Sequence, residues 1–175
     1  MNKKFFTINE NYNTTSFHFL ESDIRTYELT YDKITSFQNT LKIQATDTIN
    51  LKELKSIYRY ADGLLINADI ANTIAALDCY MTSLYPVILY DEINKVENYF
   101  YLKIYDIKNC INFEKSHYLN EGNIFSFEKI ELNPNSIREL DRVFFADDEY
   151  SIIIDELIFN IICDEDIEIS VVTLS

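Results

Sequence analysis

The stretch NYFYLKIY, residues 98–105, alternates apolar side chains with tyrosines and one lysine. Successive side chains of a β-strand point to opposite faces, so this period of two predicts a strand with one aliphatic face and one tyrosine face. Two interpretations of the tyrosine face, Tyr99, Tyr101 and Tyr105, stay open. Either another element packs over part of this face within the core, or the face is a protein-binding surface, because tyrosine is a frequent anchor of interfaces.

Shorter strands are predicted on both sides of this stretch, from alternating or continuous apolar character. They cover residues 17–19, 41–45, 85–90, 124–132, 142–145 and 167–174. Within 124–132 the apolar positions change parity, which predicts a β-bulge near Glu128. Residues 133–136, Asn-Pro-Asn-Ser, have the chemistry of a turn.

Two longer helices are predicted. Asn67 is a good N-cap, and Ile70, Ile74, Leu77 and Met81 recur at helical spacing, which indicates a helix over 68–81. Asp148 is expected to cap a second helix over 149–163, with an apolar stripe formed by Ile154, Leu157, Ile158, Ile161 and Ile162. A short helix over 51–60, after Asn50, is also predicted, whereas 21–38 fits a strand or a helix equally well.

These elements predict one α+β domain over 1–175, with a mixed, mostly antiparallel sheet and a few short helices packed on it. No linker rich in Gly, Ser or Pro divides the chain, and 47% of the residues are hydrophobic. No apolar run approaches the length that crosses a bilayer, and the N-terminus lacks a secretory hydrophobic segment. We therefore expect a cytoplasmic protein.

Negative charge dominates the chain, with a formal net charge of −14, and Arg142 is the last basic residue. Nine carboxylates follow it: Asp147, Asp148, Glu149, Asp155, Glu156, Asp164, Glu165, Asp166 and Glu168. Such a field repels phosphate backbones, which argues against nucleic acid as a direct partner, and it attracts basic protein surfaces. The alternative is an acidic surface that serves solubility only.

The reactive groups do not form a recognisable catalytic or metal motif. His18 and His117 are far apart in sequence, and with two glycines the chain has no phosphate-binding loop. Three widely spaced cysteines suit reduced thiols of the cytoplasm. The acidic clusters 147–149 and 164–166 would stand on the order of 20 Å apart along the predicted helix, too far to share one metal ion. We expect no enzymatic activity, metal or cofactor.

Four segments of the second half occur in an order that resembles a known family. They are ADGLLINADIANTIAAL (61–77), LYPVILYD (84–91), YFYLKIYDIKNCINFEKSHY (99–118) and ELDRVFFADDEYSIIIDELIFNII (139–162). This part, 61–175, resembles immunity proteins of bacterial polymorphic toxin systems, the family numbered eleven, and the resemblance leaves out the strand region 1–60. Many relatives have a glycine-containing turn after the last helix, where this chain has Cys-Asp-Glu-Asp at 163–166.

The resemblance implies that the protein binds a cognate toxin domain and blocks it directly, without turnover. The partner-binding residues expected are Asp147, Asp148, Glu149, Asp164, Glu165, Asp166, Tyr99 and Tyr101. A structural or adaptor module is the alternative, and a hydrolase that holds a metal through carboxylates is a third hypothesis. The oligomeric state and the toxin's activity stay open.

Overall fold

The computed structural model describes residues 3–9, 19, 22–29, 31, 40–121, 124–147, 151–163 and 167–174, to which all structural statements refer. The strands are β1 (Phe5–Asn9), β2 (Leu41–Gln44), β3 (Ile57–Tyr60), β4 (Gly63–Asn67), β5 (Thr82–Tyr90), β6 (Lys95–Ile104), β7 (Ile107–Lys108), β8 (His117–Glu121), β9 (Ile124–Lys129), β10 (Glu131–Leu132), β11 (Val143–Ala146), β12 (Ile152–Asp155) and β13 (Glu168–Leu174). The helices are α1 (Ala68–Ala76) and α2 (Glu156–Ile162), with 3₁₀ turns at Thr26–Glu28 and Pro134–Ser136.

Two large sheets and one hairpin organise these strands. The five-stranded sheet has the order β2-β5-β6-β4-β3, the six-stranded sheet the order β10-β13-β1-β12-β11-β7, and β8 pairs with β9. The pairs β2/β5, β7/β11 and β10/β13 are parallel and the others are antiparallel. The prediction of an α+β fold with mixed, mostly antiparallel sheets is confirmed.

The hydrophobic core lies in three layers. A central core joins one face of each large sheet to both helices, through residues such as Ile66, Leu102, Ile154 and Ile158. A tyrosine-rich core covers the opposite face of the five-stranded sheet, and a third core covers the opposite face of the six-stranded sheet. Each of the two large sheets therefore packs against hydrophobic core on both of its faces.

The strand predicted over 98–105 is confirmed as part of β6, the middle strand of the five-stranded sheet. Its aliphatic face, with Leu102 and Ile104 at 1% and 3% exposed, packs into the central core. The strands predicted over 41–45, 85–90, 142–145 and 167–174 also match β2, β5, β11 and β13. Of the segment 17–19, Phe19 forms an isolated bridge with Ala45 and the other two residues lie outside the described part.

Helix α1 begins as predicted but ends early. The Asn67 side chain accepts a hydrogen bond from the Ile70 N–H, as an N-cap does, and the helix stops at Ala76 instead of residue 81. Asp78 and Met81 have φ of 45° and 51°, so the chain turns there and enters β5 at Thr82. Pairing of β5 with β6 overrides the helical spacing of Met81.

Two other helix predictions are wrong in part or in whole. In the predicted helix 149–163, Ile152–Asp155 form strand β12 between β1 and β11, and only Glu156–Ile162 are helical. The three isoleucines of β12 are fully buried on both sheet faces, and such a position favours a continuous apolar strand. In the predicted helix 51–60, Ile57–Tyr60 pair with β4 as strand β3.

The strand predicted over 124–132 is interrupted. Residues of β9 pair with β8, and after Ile130 the short strand β10 pairs with β13. The bulge predicted near Glu128 is confirmed, because Tyr118 pairs with Phe127 and His117 with Lys129, which leaves Glu128 without an opposite residue. Neither helix of the described residues has the length and apolar character needed to span a bilayer.

Replacing Gly63 by alanine should destabilise the protein strongly. A Cβ atom at this position would lie 2.2 Å from the Leu102 carbonyl oxygen and 2.9 Å from the Tyr101 ring, so β4 would have to move away from β6. We expect the free energy of unfolding to fall by about 3 kcal/mol in urea denaturation.

Ala61, in the same turn, gives the matched control. Its φ of 46° is a conformation that glycine adopts without strain, so Ala61→Gly should keep the stability or raise it by up to about 1 kcal/mol. Equal stability of Gly63→Ala and the wild type would contradict the close packing of β4 on β6.

Candidate functional site

The two tyrosines expected at a binding surface are buried. Tyr99 is 3% exposed and its hydroxyl donates to the Lys55 carbonyl oxygen over 2.5 Å. Tyr101 is 0% exposed and its hydroxyl donates to the Asp62 carboxylate. Their prediction as partner-binding residues is wrong, because residues before and after β2, such as Leu29 and Ile49, pack against this face of the sheet.

Tyr101, Asp62 and Lys103 form a polar cluster under this cover. The Lys103 ammonium lies 2.9 Å from Asp62 and is 5% exposed. Burial, together with the neighbouring Asp62 carboxylate, raises the pKa of Tyr101 well above its ordinary value. Burial alone would raise the pKa of Asp62, but hydrogen bonds from Tyr101 and Lys103 lower it overall. The phenol thus stays protonated and the carboxylate stays ionised, as expected of a structural cluster.

Asp147 also has a structural role. One carboxylate oxygen accepts hydrogen bonds from the N–H groups of Cys110 and Ile111, both over 2.6 Å, and so ties the loop after β7 to the end of β11. The other five acidic residues expected at the partner surface, Asp148, Glu149, Asp164, Glu165 and Asp166, lie outside the described residues. Their prediction stays untested.

Two surface grooves lie on either side of the segment 138–142, which connects the turn Pro134–Ser136 to β11. The first, of about 600 Å³, is bounded by Leu77, Cys79 and Tyr80. The second, of about 790 Å³, extends to Lys3, Leu157 and the end of β13 at Leu174, among others. Arg138 and Arg142 line both grooves, so the segment forms a ridge between them.

Buried carboxylates hold the ridge in place. Asp141, whose side chain is 1% exposed, accepts from the Arg138 N–H and lies 2.9 Å from the Lys108 ammonium and 3.0 Å from the Arg138 guanidinium. Asp155, also buried, lies 3.0 Å from Arg142 and 3.3 Å from Lys3. Both carboxylates are saturated with donors, which suits stable structure better than proton transfer.

The two buried thiols, Cys79 and Cys110, are poorly suited to nucleophilic chemistry. Burial raises the pKa of Cys79 to about 11, so its thiol stays protonated at neutral pH. Cys110 is 1% exposed, whereas His117 is on an exposed position of β8. Across the described residues, no three His, Cys, Asp or Glu side chains are grouped as ligands of one metal ion.

The ridge and the walls of its two grooves expose apolar and aromatic side chains that the sequence analysis did not predict at a binding surface. Leu140 is 72% exposed, and Tyr80 and Leu157 are each 47% exposed. The Arg138 guanidinium lies 4.3 Å from the centroid of the Tyr80 ring. Tyrosine and arginine are enriched at the centre of protein interfaces. The only available signal was the pair Arg138 and Arg142, the last two basic residues before the acidic C-terminal segment.

Replacing Asp141 by asparagine should destabilise the protein in a pH-dependent way. Burial alone would raise the pKa of Asp141, but the bonds from Arg138 and Lys108 hold it below its usual 3.8. The ionised carboxylate therefore contributes stability above about pH 4, and this contribution is lost as the pH falls through the lower folded-state pKa. We expect Asp141→Asn to lower the free energy of unfolding by about 2–4 kcal/mol at pH 7.

Urea denaturation of the variant and wild type from pH 7 to pH 2 checks this expectation. The difference in stability should shrink below about pH 4, because the wild-type carboxylate becomes protonated there. Glu139→Gln, at the exposed neighbouring acidic residue, should cost less than about 0.5 kcal/mol. A difference that stayed constant down to pH 2 would contradict the role of the ionised carboxylate.

Comparison with known proteins adds no family assignment. No protein-family model matches this chain, and a search of curated proteins finds no significant match. The resemblance of 61–175 to immunity proteins therefore depends on its quoted segments alone. The charges and exposed side chains of the folded protein bear on its function independently of this resemblance.

Proposed function

We propose that this protein is an immunity protein that binds a cognate bacterial toxin domain and blocks it by direct contact. The observation that carries the proposal is the excess of negative charge: the formal net charge is −14, and carboxylates outside the ion pairs of the fold are exposed on the surface. The resemblance of the second half to immunity proteins supports the same function.

Ion pairing accounts for eight of the basic residues in the described part of the chain. They are Lys3, Lys4, Lys95, Lys103, Lys108, Lys129, Arg138 and Arg142. Lys103 and Lys108 are nearly buried, at 5% and 9% exposed, and contribute little positive surface. Exposed carboxylates outside these pairs include Glu53, Glu92, Glu114 and Glu168. Each pair sets a basic group against at least one carboxylate, so the formal net charge of −14 remains on carboxylates outside these pairs.

Such a surface favours a basic protein as partner. Opposite charge steers two proteins together and raises their association rate, with a strong dependence on ionic strength. Toxin domains that act on nucleic acid need basic surfaces to bind phosphate, and an acidic inhibitor can occupy such a surface. The partner in this proposal is therefore the toxin domain itself, without direct contact to nucleic acid or a membrane.

The proposal places this inhibition in the cytoplasm of the bacterium. The odd number and wide spacing of Cys79, Cys110 and Cys163 support that location, because reduced thiols persist there. Structural or adaptor function remains the second candidate, favoured by the exposed Leu140 of the ridge and the exposed Tyr80 beside it. The gene directly upstream distinguishes the two, since an immunity gene should follow one for a large secreted protein with a C-terminal toxin domain.

Neutralising Asp164, Glu165 and Asp166 together, as Asp→Asn and Glu→Gln, should weaken binding of the toxin domain encoded directly upstream. We expect a loss of about tenfold in affinity at low ionic strength and a flatter dependence on salt, because fewer charges attract the partner. Isothermal titration calorimetry at several salt concentrations measures both quantities, and circular dichroism checks that the fold is intact.

A matched control changes the net charge equally at a distance from that cluster in sequence. The variant Glu53→Gln, Glu92→Gln, Glu114→Gln removes three exposed carboxylates and should bind almost as the wild type does. Equal affinities of both triple variants and the wild type would remove 164–166 from the interface. No binding by the wild type would overturn the proposed function itself.

A further inference from the structure

The ridge 138–142 carries an exposed leucine between two grooves. Leu140 is 72% exposed, and it lines both the groove of about 600 Å³ and the groove of about 790 Å³. Tyr80 lies in the wall of the first groove and Leu157 in the wall of the second, and each is 47% exposed. Exposed apolar surface of this kind gains free energy when a partner covers it. The ridge therefore offers an apolar anchor with a groove on either side of it.

Hydrogen bonds hold the backbone on both sides of Leu140. The Lys3 ammonium donates to the Glu139 carbonyl oxygen over 2.8 Å and to the Asp141 carbonyl oxygen over 2.5 Å. The Asp141 carboxylate accepts the Arg138 N–H over 2.7 Å, and the Asp141 N–H donates to the Arg138 carbonyl oxygen over 3.2 Å. A surface that is already ordered loses little conformational entropy when it binds. The ridge thus presents its leucine from a fixed backbone.

The basic side chains at the ridge are paired within the fold. The Arg138 guanidinium lies 3.0 Å from the buried Asp141 carboxylate. Arg142 and Lys3 lie 3.0 and 3.3 Å from the buried Asp155 carboxylate. Withdrawing a cation from a buried carboxylate is costly, so an anionic partner would have to compete with these ion pairs.

Two exposed carboxylates lie beside the apolar anchor. Glu139 lines both grooves and precedes Leu140, and Asp78 lines the first groove close to Tyr80 in sequence. Both acidic residues are exposed, and neither takes part in an ion pair with another residue of the described ranges. Carboxylates at the edge of an apolar contact attract a basic partner and repel an acidic one. The charge at the ridge therefore favours a basic protein surface.

A second copy of this chain is a poor occupant of the ridge. Each copy has a formal net charge of −14, so Glu139 and Asp78 would face another acidic protein. A net charge far from zero keeps proteins apart in solution. A partner of opposite charge is favoured instead.

We infer that the ridge 138–142, with the walls of its two grooves, is the docking surface for a basic face of the toxin domain that has an apolar hollow. This inference rests on the proposed function and specifies where the toxin domain docks. Leu140 enters the apolar hollow, and a lysine or arginine of the toxin domain pairs with Glu139 or Asp78. The apolar anchor supplies affinity, and the two carboxylates supply selectivity for a basic partner.

Leu140→Ser tests the apolar anchor. The leucine is exposed, so its truncation should leave the fold intact, which thermal denaturation checks. We expect the dissociation constant for the toxin domain encoded directly upstream to rise by about tenfold or more, because an anchor of the interface is lost. Ile93→Ser is the matched control, since Ile93 is 81% exposed on the turn between β5 and β6 and lines neither groove. This control should bind about as the wild type does.

The double variant Asp78→Asn, Glu139→Gln tests the charge at the ridge. It keeps the size of both side chains, and asparagine tolerates the φ of 45° at residue 78. Affinity should fall by about tenfold at low salt and depend less on salt, because two charges that attract the partner are gone. Glu53→Gln, Glu92→Gln removes the same charge from exposed positions that line neither groove, and it should bind about as the wild type does.

Methyl NMR locates the contact directly. Binding of the upstream toxin domain should shift the methyl signals of Leu140 and Leu157 and leave those of Ile93 unchanged. Unchanged affinity of either ridge variant, or an equal loss in its matched control, would overturn the ridge inference while leaving the proposed function in place. Absence of binding by the wild type would overturn both. A dimer in analytical ultracentrifugation that Leu140→Ser dissociates would show that a second copy is the occupant, and would also overturn the inference.

Discussion

The carboxylate of Asp155 is the interaction on which the described architecture depends most. It stands where β12 ends and α2 begins, and one oxygen accepts the N–H groups of Leu157 and Ile158 over 3.1 and 3.0 Å. The other oxygen pairs with Arg142 and with Lys3. A single buried anion therefore caps the helix, anchors the start of β11 and holds the residues before β1. Removing one partner of such a network leaves the remaining buried charges without compensation.

This arrangement also explains how an apolar run becomes two elements. The segment 152–162 is mostly apolar, and only Asp155, Glu156 and Asn160 interrupt it. Before Asp155 the isoleucines lie between β1 and β11 and are buried on both faces; after it, Ile158 and Ile162 pack into the central core as one side of α2. The position of the helix in turn lets the two sheets share that core.

The fold buries some of the polar side chains and leaves others exposed on the surface. Two sheets buried on both faces draw the tyrosines of β6 inward, together with the cations that satisfy Asp62, Asp141 and Asp155. Each of these cations neutralises a carboxylate of the fold, so the formal net charge of −14 remains on carboxylates outside such pairs.

Local signals determined several features from the sequence alone: the α+β class, the strand around Tyr101, the Asn67 cap, the bulge at Glu128 and the excess negative charge. These depend on periodicity, turn chemistry or composition, which involve neighbouring residues only. Tertiary structure decided the rest. Whether 152–155 is strand or helix depends on β1 and β11, which are distant in sequence, and whether Tyr99 and Tyr101 face solvent depends on what covers their sheet. The ridge at 138–142 exists only in the folded chain, because the two grooves beside it are lined by residues that are distant in sequence, such as Lys3, Tyr80 and Leu157.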